Sequence, residues 1–151
     1  MNRRAVFVGG ITDAVVAYFA ATVALPKEAR WPAFAAVLAG GLVGGYLAGR
    51  RSGAWRERVR HGLLAGVLGG GALAVAVWWS LQPGTPDGAL WPVNYLLATG
   101  ARWLPPGAAA RYDTLLGVAV ALACGTVYAV AGALAAGAAP SGETKIALTR
   151  D

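Results

Sequence analysis

The chain has 151 residues, of which 57% are hydrophobic and 13% are charged, and its mean hydropathy is +0.54. A soluble domain carries roughly a quarter charged residues, so this composition excludes an ordinary water-soluble fold and indicates a membrane protein. The net charge of +6 comes from short basic clusters between apolar runs, a pattern that sets membrane topology and is not typical of nucleic-acid binding.

Four apolar runs are long enough to cross a bilayer, which takes about 20 residues of helix. Pro26 ends the first run, because the residue before a proline is disfavoured in a helix. Pro32 fits the first turn of the second, where its missing N–H costs nothing. The sequence therefore predicts an all-α, polytopic membrane protein, a single membrane domain over residues 1–151. Its four-transmembrane-helix bundle is predicted over residues 5–25, 32–50, 60–81 and 114–139.

The first run also has the parts of a cleaved secretory signal. Arg3 and Arg4 would form its basic start, and Thr22-Val23-Ala24 its small-residue cleavage site. The length of the run, the acidic Asp13 within it and the further spans that follow favour a retained transmembrane helix.

A fifth apolar segment, residues 89–104, is too short and too polar for an ordinary span. It contains Pro92, Asn94, Gly100 and Arg102. Its tryptophans and tyrosine suit the headgroup layer of a bilayer. We expect an extra interfacial segment in the third loop, with a re-entrant piece or a fifth span as the alternatives.

The distribution of lysine and arginine predicts the topology. Nine of these residues lie in the N-terminal tail, the second loop and the C-terminal tail, against four in the first and third loops. Because cytoplasmic loops are enriched in basic residues, both termini are expected in the cytoplasm of a multi-pass plasma-membrane protein. This orientation requires an even number of spans, which agrees with four.

Glycines recur at intervals of four in the second and third runs and predict close helix packing. Residues spaced by four share one helix face, and glycine there lets a neighbouring backbone approach. We expect these glycines to hold the second and third helices together as a hairpin, with a homodimer face as the alternative. The set is Gly40, Gly41, Gly44, Gly45, Gly49, Gly62, Gly66 and Gly70.

Asp13 is the ionisable residue within a predicted span, and it is the candidate functional residue. A carboxylate at that depth is costly unless it is paired, protonated or hydrated. One hypothesis is a proton- or cation-linked site formed by Asp13 with Thr12. The structural alternatives are a cap near the membrane surface, favoured by Gly9-Gly10, and an ion pair with Arg50 or Arg51.

No motif for catalysis, cofactor binding or metal binding is found in the sequence. Cys124 is the only cysteine and His61 the only histidine, and there are no paired carboxylates or phosphate-binding loops. We therefore expect no enzymatic activity, no cofactor and no metal. Cys124 is expected to be a small apolar core residue.

The stretch AAVLAGGLVGGYLAGRRSGAWRERVRHGLLAGVLGGG, within residues 34–71, resembles a known group. Its pattern of a GGxxAGYLAG-like helix, a short polar link and a GxxAGxxGG-like helix is similar to small haloarchaeal membrane proteins that share a domain of unknown function. The resemblance implies a four-span membrane protein and no established activity.

Three functions remain open from the sequence. The leading one is a small structural or accessory membrane protein that packs with itself or with a membrane partner protein. The second is a small oligomeric transporter that uses Asp13, which shares only its layout with small multidrug exporters. The third and weakest is a scaffold whose basic loop, residues 50–60, meets anionic lipid or a cytoplasmic partner. The expected partners are the lipid bilayer and either further copies of the same chain or a membrane partner protein. Nucleic acid is not expected as a partner.

Overall fold

The protein is all-α. A computed structural model describes residues 3–50 and 54–140, and within these ranges the chain forms six helices. They are α1 (Arg3–Thr22), α2 (Lys27–Gly49), α3 (Trp55–Ser80), α4 (Trp91–Ala101), α5 (Ala108–Arg111) and α6 (Asp113–Ala138).

Three of these helices are long and apolar enough to cross a membrane: α2, α3 and α6. The apolar part of α1, Val6–Thr22, is shorter than the other three. Large apolar side chains cover the outward faces of all four long helices, with exposed fractions of 64% for Phe7, 68% for Val75 and 70% for Leu134. The inward faces carry mostly glycine and alanine.

The four long helices form a bundle in which α6 is held between α2 and α3. The largest interface joins α3 to α6, and α2 also packs along α6. On the other side α1 packs against α3 and α2, which contact each other between the two outer helices. Helices α1 and α6 therefore lie at opposite corners, separated by α2 and α3.

Glycines bring the backbones of α2 and α3 against α6. A Cβ at Gly45 would overlap the Gly132 carbonyl, and one at Gly49 would lie 2.5 Å from the Ala136 oxygen. On α3, Cβ atoms at Gly62, Gly66 and Gly70 would all meet the backbone or Cβ atoms of α6. In lipid, where apolar burial gives little driving force between helices, such close contact supplies much of the association energy.

This packing changes the expectation of a glycine hairpin between the second and third helices. The five glycines named above allow α6 to approach α2 and α3 closely. Gly44 instead faces the Asp13 side chain of α1, and Gly41 faces the Tyr128 side chain of α6. A homodimer face built from the same glycines is incompatible with this bundle, because all of them except the half-buried Gly40 are buried inside it.

The observed helix ends differ from the expected ones at three places. Helix α1 ends at Thr22, three residues before the expected residue 25. Helix α2 begins at Lys27, not at residue 32, so Pro32 lies inside the helix, just beyond the first turn. Helix α3 begins at Trp55, five residues before the expected residue 60.

The segment expected at residues 89–104 contains an 11-residue helix, Trp91–Ala101. At about 1.5 Å per residue it is roughly 16 Å long, about half of the hydrocarbon core. A fifth span is therefore excluded by length. Asn94 anchors the start of α4 by donating a hydrogen bond of 2.9 Å to the Ser80 carbonyl at the end of α3.

An ion pair connects the first turn of α2 to the loop between α3 and α4. Arg30 lies 3.2 Å from the Asp87 carboxylate, donates a hydrogen bond to the Leu25 carbonyl and lies over the Trp91 ring. The Leu25 amide donates to the Asp87 carbonyl at 3.0 Å. These contacts hold the α1–α2 connection against the segment that leads into α4.

We expect Gly45→Ala to destabilise the protein by about 1–3 kcal/mol, the usual cost of inserting a methyl group into a closed packing. The added Cβ would overlap the Gly132 carbonyl, which is backbone and cannot rotate away. Thermal unfolding in mild detergent measures the effect. Gly71→Ala is the matched control, since a Cβ there meets nothing within 4 Å and should gain up to about 1 kcal/mol of helix propensity. Equal melting temperatures for the two variants would contradict the close approach of α2 and α6.

Candidate functional site

Asp13 lies in the middle of α1 and is buried in the centre of the bundle, with an exposed fraction of 2%. Ten residues separate it from Arg3, so it lies about 15 Å along the helix from its first residue. Its carboxyl group points away from the outward face of α1, where Phe7 and Tyr18 are exposed.

Tyr128, from α6, is the hydrogen-bond partner of Asp13. Its ring is buried, with 2% of its surface exposed, and its hydroxyl donates a hydrogen bond to the Asp13 carboxyl group. The two side chains meet across the bundle, from helices at opposite corners. A tyrosine in an apolar interior needs such a partner for its hydroxyl, so the pair places a polar contact between the first and the last long helix.

Glycines of α2 and α3 make room for this pair. A Cβ at Gly44 would lie 2.5 Å from Asp13 Oδ2, and a Cβ at Gly69 would lie 2.6 Å from the same atom. A Cβ at Gly41 would lie 2.8 Å from the Tyr128 ring. In each glycine a Cα hydrogen atom occupies the position where a Cβ would be, so these hydrogen atoms point at the carboxyl group and the ring. This arrangement permits weak Cα–H···O contacts to Oδ2.

All four long helices thus contribute residues to the site around Asp13 and Tyr128. Helix α1 contributes Asp13, α2 contributes Gly41 and Gly44, α3 contributes Gly69, and α6 contributes Tyr128. Gly44 and Gly69 close on the carboxyl group, and a side chain larger than glycine at either position would collide with it.

One oxygen of the carboxyl group, Oδ2, is buried without a hydrogen-bond partner. A buried polar atom left without a partner costs roughly 1–3 kcal/mol, and a full carboxylate charge costs more. The arrangement can therefore hold a proton and donate or accept one hydrogen bond. It contains no second carboxylate or imidazole that could form a proton-transfer pair within the described bundle.

The structure contradicts two of the expectations about Asp13, and of the third it tests only the part that concerns Arg50. Thr12 is exposed and its hydroxyl donates to the Val8 carbonyl of its own helix, so it takes no part in the site. The helix continues through Gly9-Gly10, so Asp13 is no surface cap. Arg50 is exposed and no ion pair joins it to Asp13, while Arg51 lies outside the described residues.

Tyr128 was assigned no role from the sequence, although one signal pointed to it. It is a polar residue deep in an apolar run, and a hydroxyl there must find a partner. Gly125 and Gly132 flank it at three and four residues, so it shares the helix face that approaches the other helices.

Nothing in the described ranges suggests a metal centre. No group of three or more His, Cys, Asp or Glu residues there could hold a metal ion. Cys124 is a half-buried free thiol on α6. His61 is buried, with Nδ1 at 2.7 Å from the Glu57 carbonyl.

Comparison with known proteins identifies no relative. No model of a protein family matches the chain, and no curated protein or solved structure matches it either. The resemblance of residues 34–71 to a haloarchaeal group therefore stays a prediction.

We expect Gly44→Ala to destabilise the bundle by about 1–3 kcal/mol, because the new methyl group would press on Asp13 Oδ2, which Gly69 confines from the other side. Asp13→Ala removes both carboxyl oxygens and frees that space. Combining Gly44→Ala with Asp13→Ala should therefore cost less than the sum of the two single substitutions. Thermal unfolding of the four proteins of this double-mutant cycle measures the coupling.

Asp13→Ala combined with Gly45→Ala is the control, since Gly45 faces α6 backbone and not Asp13. Additive effects in both cycles would show that the Asp13 carboxyl group does not lie between Gly44 and Gly69.

Proposed function

We propose that this is a non-enzymatic integral membrane protein of the plasma membrane that spans the bilayer four times, with α1, α2, α3 and α6 as its spans. Two features support the proposal. Three of the helices meet the length and hydropathy of a span, and large apolar side chains face outward on α1 as well. A soluble monomer rarely exposes contiguous apolar surface on this scale.

The proposed orientation has both termini in the cytoplasm, with the loop between α2 and α3 on the same side. Arg56, Arg58 and Arg60 at the start of α3 supply much of its positive charge. The α1–α2 connection and the whole α4–α5 segment then lie on the outer side, where α4 rests in the interface with Trp91 and Tyr95 stacked at 5.3 Å.

The most favoured role is structural or accessory, through packing with a second copy or with a membrane partner protein. The observation that carries it is the closed packing around Asp13. Gly44 and Gly69 contact its carboxyl group, and neither Asp13 nor Tyr128 lines the cleft of about 750 Å³ beside α4 or the cleft of about 280 Å³ between α3 and α6. A coupling group of a transporter would need a polar route from each side of the membrane.

We expect the full chain to stay in the membrane fraction after alkaline carbonate extraction. Protease should remove tags at either terminus in inside-out vesicles and should spare them in right-side-out vesicles, because both ends are on the cytoplasmic side. A tag inserted at Gly84, an exposed turn residue with φ of +82°, is the matched control and should show the opposite accessibility. Cleavage of one terminal tag from each side would mean an odd number of spans.

The accessory role is tested by purification in mild detergent followed by native mass measurement. A defined homo-oligomer or a stable complex with one membrane protein is the expected result. A monomer that carries no protein partner at membrane-like concentration would contradict it.

A second candidate function, proton-linked transport, is favoured by the unpartnered Oδ2 of Asp13 at mid-depth. An ionisable group within a span is costly and often functional. If this function holds, reconstituted protein should carry protons down an imposed gradient, and Asp13→Asn should abolish the flux while keeping the fold, because the amide cannot exchange the proton.

The measurement is the fluorescence of a pH-sensitive dye inside proteoliposomes. Tyr128→Phe tests the same site by removing the hydrogen bond to the carboxyl group. Thr12→Val is the control on the neighbouring exposed position, and it should leave the flux unchanged. Flux equal to that of protein-free liposomes would exclude this candidate and favour the structural role.

A further inference from the structure

A cleft of about 750 Å³ opens between α4, the end of α3 and the first half of α6. This volume falls within the range of roughly 300–1,000 Å³ that is typical of ligand sites. Its walls are mostly apolar and include Trp78, Leu97 and Leu116. It is separate from the Asp13 site and has no part in the function proposed above.

The polar groups of the cleft are concentrated at one end. Gln82, Asn94, Asp113 and Thr114 lie there, at the ends of α3 and α6 and on α4. Along α6 the lining extends from Asp113 to Cys124, about 16 Å at 1.5 Å per residue. That length matches the hydrocarbon thickness of one leaflet, about 15 Å. The cleft is thus apolar over the depth of a leaflet and polar at the level of the headgroups.

Two basic residues are next or close in sequence to residues that line the cleft. Arg102 follows the lining residue Ala101, and Arg111 ends α5 just before Asp113. Both are exposed, their guanidinium groups lie 5.5 Å and 5.7 Å from the rings of Trp103 and Tyr112, and neither forms an ion pair with a described carboxylate. The Asp113 carboxylate accepts hydrogen bonds from the Thr114 amide and hydroxyl. Its negative charge therefore interacts with the N-terminus of α6.

We propose that this cleft binds one acyl chain of an anionic phospholipid from the outer leaflet, with the phosphate held near Arg102 and Arg111. The proposal rests on the four-span orientation given above, which puts the cleft in that leaflet. The apolar part of the cleft, one leaflet deep, accommodates the acyl chain. Two guanidinium groups that form no ion pair with a described carboxylate complement the negative headgroup.

The test uses the full chain, purified in mild detergent with added phosphatidylglycerol or phosphatidylcholine and examined by native mass measurement. We expect one retained phosphatidylglycerol and weaker retention of phosphatidylcholine. Arg102→Gln and Arg111→Gln should each reduce the preference for the anionic lipid about fivefold, the effect of one basic residue near an anionic surface. Equal retention of the two lipids by the unaltered protein would overturn the proposal.

Gly100→Trp should weaken retention, because it adds a bulky side chain at a residue that lines the cleft, where a Cβ meets no other atom within 4 Å. Gly71→Trp is the matched control on α3, away from the cleft and equally unobstructed, and it should retain the lipid. Retention that stays undiminished in a folded Gly100→Trp protein would overturn the proposal.

A second measurement needs no substitution. Cys124 is the only cysteine and lines the deep end of the cleft, so a bound acyl chain should slow its reaction with N-ethylmaleimide. We expect slower labelling with phosphatidylglycerol than in detergent alone, and equal rates would count against the proposal. If alkaline carbonate instead releases the protein from membranes, the four-span proposal itself is refuted. Failure of the lipid proposal and failure of the four-span proposal are therefore distinguishable.

Discussion

The bundle depends on the close approach of α6 to the backbones of α2 and α3. Glycine and alanine at the crossing points allow backbone atoms to touch, and a methyl group at Gly45 or Gly70 would overlap a carbonyl oxygen of α6. In the membrane setting proposed above, lipid would offer no hydrophobic gain for moving an apolar side chain from the bilayer into the bundle. Large side chains therefore remain on the outside, small residues occupy the inside, and the positions of the polar residues follow from this arrangement.

The same close packing determines what Asp13 can do. Gly44 and Gly69 make room for its carboxyl group, and Gly41 makes room for the ring of Tyr128, so small residues enclose the pair. The pair joins α1 and α6, which otherwise make little contact. A hydrogen bond is directional, so it fixes the orientation of these two helices more strictly than van der Waals packing alone. A buried polar pair of this kind can serve specificity of packing without chemistry. The cleft between α4, α3 and α6 lies apart from it and, with the lipid proposed above, would give the protein a separate contact with its surroundings.

Composition and the apolar runs predicted the all-α class and the approximate positions of the long helices, because both depend on local properties of the sequence. The glycine spacing correctly indicated close packing but gave the wrong partner for most of the glycines. Spacing identifies the face of a helix that is used, whereas the identity of α6 as the partner depends on tertiary geometry. Asp13 was found as an ionisable residue in an apolar run. Tyr128 was missed, because its pairing joins residues 115 positions apart.

That separation has a consequence for biosynthesis. At roughly 5–20 residues per second, the ribosome needs about 6–23 s to reach Tyr128 after making Asp13. During this interval the carboxyl group in the first helix has no hydroxyl to meet, and its neighbours Gly44 and Gly69 become available before its partner does. The contact between the first helix and the last can therefore form only after α6 has been made, so a nascent chain that stops before α6 would leave the Asp13 carboxyl group without its partner.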